Sequence, residues 1–188
     1  MRRDVLRFAE LAGSAAGPAG ASVPWGRSRE LCGVEFPADY REFIDVFGPG
    51  EVRGCLYVSA PWSWHGSPQG ERGFREFTDM TTDELGPHFR RMREEDPAQC
   101  PHPVFPEPGG LLAWGSTFRG DQLFWLTSGP DPMEWPVVVW FRGRHGDSPW
   151  RRYTMRFVAF LLHALSGDDP DLRDLLDRPD QPVWGRPT

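Results

Sequence analysis

The sequence predicts an α+β fold: an antiparallel or mixed β-sheet of about 4–6 strands, helices packed on one face, an N-terminal helical arm and a C-terminal helix. Three observations carry this. Residues 109–127, GGLLAWGSTFRGDQLFWLT, hold apolar runs at 111–114 and 123–126, with Gly115, Gly120 and Asp121 between them. Short apolar runs separated by turn-forming residues make a β-hairpin. A third run, at 137–141, follows after a turn-rich connection, and consecutive strands joined by tight turns pair antiparallel. Helical periodicity is confined to the chain before and after this block, the pattern of segregated helices and strands.

Residues 4–12 place Val5, Phe8, Ala9 and Ala12 at the i, i+3, i+4, i+7 spacing of an amphipathic helix. Residues 13–22 are almost wholly Gly, Ala, Ser and Pro, a flexible-linker composition. The first helix is therefore expected to dock loosely. Residues 25–31 suit one or two helical turns closed by Gly33. Pro37 opens a clearer helix with Tyr40, Phe43, Ile44 and Phe47 on one face, stopped by Gly48 and Pro49.

Residues 54–59 read as the first strand, with Leu56 and Val58 on one face and Cys55 and Tyr57 on the other. The loop at 60–73 displays Trp62, Trp64 and His65. Residues 74–95 read as helical, with a break near Gly86 and Pro87 and a fresh start capped by Thr82. A proline-rich loop leads to the hairpin. The contiguous Val137, Val138 and Val139 call for cover on both faces of their strand. Residues 150–153 can add a last strand. Thr154 then caps a helix buried through Phe157, Phe160, Leu161, Ala164 and Leu165, and Gly167 ends it. A short acidic helix at 170–176 and a tail from 178 follow, with Trp184 able to dock. The expected organisation is a helix and linker at 1–24, a domain at 25–167, and a short helix and tail at 168–188.

The 188 residues suit one domain with arms, and 39% hydrophobic content with 13% aromatics suffices for a core. A net charge of −6 disfavours nucleic-acid backbone binding, which needs a positive surface, and favours a basic protein partner. All 21 Lys+Arg positions are Arg, a compositional bias with little functional content. Cys32, Cys55 and Cys100 make no disulfide framework and fit a reducing cytoplasm. Arg7 and Glu10 interrupt what would otherwise resemble the apolar stretch of a signal peptide. No apolar run approaches the ~20 residues of a membrane span.

Few residues of the sequence suit catalysis or metal binding. Cys100 and His102 are the only close metal-ligand pair, whereas structural zinc takes four ligands. Ser116 lacks the GxSxG context of a nucleophile, and no phosphate-binding glycine loop occurs. No cofactor is expected. Asp79, Asp83 and Glu84, with Glu94, Glu95 and Asp96 further on, read as a solvated helix face, as an acidic surface for a basic partner, or as the carboxylates of a hydrolase. Asp121 reads as a turn residue bonded to its own backbone. Trp62, Trp64 and Trp135 lie in loops, where tryptophan either anchors an interface or covers the edge of a core.

Residues 33–43, GVEFPADYREF, resemble the G-x-x-LP-x-DY-x-x-F opening of the SUKH superfamily, which includes the Smi/Knr-type fungal cell-wall regulators and Syd. Phe36 stands where Leu is commoner. The Phe47-Gly48-Pro49-Gly50 and Leu56-Tyr57-Val58 that follow are similar to that family's helix stop and first strand. Trp114-Gly115-Ser116-Thr117 with Gly120-Asp121-Gln122-Leu123-Phe124-Trp125 resembles its central hairpin, and residues 157–161 its closing helix. The resemblance covers residues 25–167. It implies an α+β fold and, in bacteria, a non-enzymatic immunity protein that binds and blocks a toxin domain of a polymorphic toxin system. The expected partner is a cognate toxin, possible nucleases among them, with a regulatory adaptor as the alternative. The expected partner surface is Trp62, Trp64, His65, Asp79, Asp83 and Glu84, with Asp121 beside them.

Overall fold

The computed structural model describes residues 2–13, 23–61, 70–144 and 148–186. The expected α+β class and antiparallel sheet are present. The hairpin is β3 (Leu111–Thr117) with β4 (Gln122–Leu126), paired from Leu111↔Leu126 to Ser116↔Gln122 with a bulge between Ala113 and Gly115. Before it run β1 (Gly50–Val52) and β2 (Leu56–Val58), and after it β5 (Val137–Trp140) and β6 (Trp150–Tyr153). Strand β7 (Trp184–Gly185) returns to pair with β1. The sheet has 7 strands in the order β6-β5-β4-β3-β2-β1-β7, every neighbouring pair antiparallel. Strands of two or three residues carry too little period-2 pattern to announce themselves, so the count exceeds the expected one.

Side chains alternate across the sheet. Leu112, Trp114, Leu123, Trp125, Val137 and Val139 face one cluster, and Leu111, Ala113, Phe124, Leu126 and Val138 face a second. Over the first lie α1 (Arg2–Ala12), α3 (Ala38–Phe47), which follows the short α2 (Ser28–Cys32) closed by Gly33, and α6 (Phe157–Ser166). The aromatic stripe of α3 interlocks edge-on with both neighbours. Phe8 sits 5.0 Å from Phe43, and Tyr40 sits 4.8 Å from Trp125 and 5.1 Å from Phe157.

The two ends of the chain belong to this core. Val5 and Phe8 of α1 are buried, and so is Trp184, whose ring lies 5.1 Å from Phe43. A Cβ on Gly50 would fall 2.4 Å from the Trp184 ring, so β7 seats against the bare backbone of β1. Burying a large apolar side chain stabilises by about 1.5–3 kcal/mol, which makes α1 a fixed element rather than the loosely docked arm its linker suggested.

Residues 70–95 stay helical throughout: α4 (Gly70–Asp79), a π-helical turn (Met80–Leu85) and α5 (Gly86–Glu95). The expected break at Gly86 and Pro87 is a change of winding instead. Pro87 has no N–H for the carbonyl four residues back, and its ring crowds that carbonyl. The wider turn removes the clash, and the Gly86 N–H reaches Thr81 O, five residues back. Gly86 is required there, because a Cβ would lie 2.6 Å from that oxygen. The Thr82 hydroxyl bonds the Asp83 carboxylate and caps nothing.

This long helix covers both sides of the sheet. Phe74 and Phe77 of α4 join the first cluster, while Phe89 of α5 joins the second, 5.4 Å from Phe124 and 5.1 Å from Trp140. Helical cover is thus not confined to one face, in keeping with the apolar run of β5.

Candidate functional site

The residues that carry the family resemblance have structural work in this fold. Asp39, on the first turn of α3, is buried, and its Oδ2 accepts from the Val158 N–H at 3.0 Å. Arg156, the residue before α6, offers no side-chain cap, so Asp39 caps α6 from another helix. Burial pushes the Asp39 carboxyl above its ordinary range, against the hydrogen bonds it accepts and the nearby Arg156 charge. The Tyr40 hydroxyl donates to Ser59 O at 2.6 Å, tying α3 to the end of β2.

The acidic cluster is built on the π turn. Asp79 ends α4, Asp83 and Glu84 lie within the turn, and all three are exposed. Two other carboxylates of the helix are paired at i,i+4 spacing, Glu76 with Arg72 at 2.6 Å and Glu95 with Arg91 at 3.3 Å. Asp79, Asp83 and Glu84 have no ion pair among the described residues. The Arg90 guanidinium supports the turn from beneath, donating to Thr82 O at 2.7 Å. Thr81, buried at the centre of the turn, accepts from the Ala113 N–H at 2.9 Å. The turn is therefore clamped to the sheet while its carboxylates face outward.

Asp121 does not stand beside them. It is 7% exposed and lies at the far end of the hairpin, about 13 Å along β3 from Ala113 at ~3.3 Å per residue. Its Oδ2 accepts from the Thr117 hydroxyl at 2.7 Å and its Oδ1 from the Arg142 N–H at 2.9 Å. The carboxylate joins two turns and is buried away from the surface; it bonds the Thr117 side chain and the distant Arg142 N–H instead of the neighbouring backbone that its position after Gly120 suggested. Trp62, Trp64 and His65 lie outside the described residues. Trp135 covers the core: it is 7% exposed and its indole donates to Gly129 O at 3.1 Å.

Groups with latent chemistry are dispersed. Among the described residues no cluster of three His, Cys, Asp or Glu could hold a metal ion. Cys100 is buried, its thiol donating to Phe89 O at 3.5 Å and pushed up in pKa by burial. His102 lies edge-on to Trp150 at 5.3 Å. Ser116 pairs with Tyr57 inside the sheet. An open cleft of about 330 Å³ runs along the start of α3, between Glu35, Arg41, Asp131 and Met133. Its walls mix both charges and hold no convergent nucleophile and base.

Nothing local in the sequence marks Asp39 as the cap of a distant helix. The one signal for Thr81 was its place five residues before Gly86-Pro87, where a helix must widen to continue. The chain matches no protein-family model, no curated protein and no solved structure. Among the described residues no helix is long and apolar enough to cross a membrane.

Proposed function

We propose that this is a cytoplasmic, immunity-type protein that binds a toxin domain and neutralises it by occlusion, without catalysis. The observation that carries the reading is the π turn, with Asp79, Asp83 and Glu84 exposed, free of ion pairs among the described residues, and backed by the Thr81 clamp. A preorganised acidic surface of this kind steers and fits a basic partner such as a nuclease domain. The net charge of −6 adds to it, and so does the resemblance of residues 25–167 to the SUKH superfamily.

The test is co-expression with the toxin encoded in the adjacent reading frame. Growth rescue and a stable complex are expected, and both should be lost in the Asp83→Arg/Glu84→Arg variant. A folded protein that neither rescues nor binds that toxin overturns the reading.

A further inference from the structure

Among the described residues β6 is one edge strand of the sheet, paired with β5 alone. Its phase is set by the bond from Phe141 N–H to Pro149 O at 2.8 Å, with Arg151 opposite Val139 and Tyr153 opposite Val137. Residues 149, 151 and 153 thus turn their backbone groups to β5, and 150, 152 and 154 turn theirs outward. The groups of Trp150 are satisfied locally, its N–H by Ser148 Oγ at 3.3 Å and its carbonyl by the Arg151 guanidinium at 3.0 Å. The outward N–H and C=O of Arg152 and Thr154 have no partner among the described residues, and both residues are exposed.

Charge decides what such an edge accepts. The Arg152 and Arg156 side chains are exposed and form no ion pair among the described residues. Carboxylates close to β6 already have partners, and the buried Asp39 carboxyl lies near the Arg156 charge. Asp171 is held by Arg144 and, at 2.7 Å, by Arg151, and Asp169 caps the N–H groups of Asp171 and Leu172 in α7 (Pro170–Leu175). Guanidinium groups along an edge repel a second copy of the same strand and an uncharged one gains nothing from them, whereas an acidic strand is complementary.

We propose that the β6 edge is a strand-addition site that takes an extended acidic segment of a partner protein. The segment pairs with the backbone of Arg152 and Thr154, and its carboxylates meet Arg152 and Arg156. This surface is separate from the acidic π turn, so the two readings stand or fall independently.

The test uses the full chain and a labelled eight-residue peptide of alternating Glu and Val, with a copy carrying proline at alternate positions to remove its N–H groups. At low salt the Glu/Val peptide is expected to bind and to slow amide exchange at Arg152 and Thr154. Arg152→Glu is expected to weaken it by about tenfold or more, with an unchanged thermal midpoint, and the proline copy is expected not to bind. Three results overturn the proposal: no binding of the Glu/Val peptide, binding without protection of those two amides, or self-association of the protein through this edge.

Discussion

The Thr81 hydroxyl accepts a hydrogen bond from the Ala113 N–H at 2.9 Å, and this contact joins two irregularities. Ala113 flanks the bulge in β3, and Thr81 sits in the π turn of the long helix. The outer edge of β3 is satisfied piecemeal: Leu111 by Pro103 and Phe105, Ala113 by Thr81, Trp114 O by the Ser59 N–H at 2.9 Å, and residues 115–117 by β2. Because β2 is short, a helix must supply what a strand does not. Thr81→Val keeps the shape and removes the acceptor, leaving a buried N–H unmet. A loss of about 1–3 kcal/mol is expected in urea unfolding, with most of it restored by Thr81→Ser.

Gly86→Ala separates local propensity from the observed winding. In an ordinary helix the change stabilises by about 1 kcal/mol. Here the new Cβ would lie 2.6 Å from Thr81 O and 3.0 Å from the Arg90 guanidinium. The variant is expected to be less stable by about 1–3 kcal/mol. A rise in the thermal midpoint would show that the turn relaxes to an ordinary α-helix without penalty.

Asp39 and Asp171 should respond to pH with opposite signs. The Asp39 carboxyl is raised by burial, so its contribution is present below the unfolded-state pKa and lost as pH rises through the folded one. Asp39→Asn keeps an acceptor for Val158 and does not ionise, so its stability relative to the parent should improve between acid and neutral pH. Asp39→Ala should lose about 0.5–2 kcal/mol of capping in acid, and the loss relative to the parent should shrink as pH rises. Asp171 is held below its ordinary range by Arg144 and then Arg151, so its contribution is present above the unfolded pKa and lost as pH falls. Asp171→Asn should therefore weaken the protein at neutral pH and converge on the parent in acid. Denaturant midpoints across pH 3–7 check both signs.

Two acidic sites, Asp83 with Glu84 on the π turn and Asp121 at the hairpin turn, should separate binding from folding. Asp83→Arg with Glu84→Arg is expected to weaken affinity for the proposed toxin partner by about tenfold or more and to leave the thermal midpoint in place. Asp121→Ala should do the reverse, because it deprives the Thr117 hydroxyl and the Arg142 N–H of their acceptor. Calorimetry of binding and of unfolding on the same samples distinguishes them.

Trp184→Ala tests whether the C-terminal strand belongs to the core. The ring is 1% exposed and lies 6.0 Å from Phe8 and 5.1 Å from Phe43. A loss of about 3–5 kcal/mol is expected, with faster amide exchange in α1 as well as in β1.

By itself the sequence determined what depends on neighbours in the chain. The hairpin from Leu111 to Leu126, the aromatic stripe of α3 and the burial of α6 are written in local periodicity and turn residues. The acidic character of the 79–84 segment is likewise composition. Tertiary structure decided what depends on meetings across the chain. The Phe8 and Trp184 rings come together on Phe43 from opposite ends of 188 residues, and Asp39 caps a helix 119 positions away. Thr81 becomes a clamp only because β2 stops short of Ala113, and Asp121 leaves the surface only because Arg142 folds beside it. A buried donor must find an acceptor somewhere, and which residue supplies it is settled by the packing of distant segments.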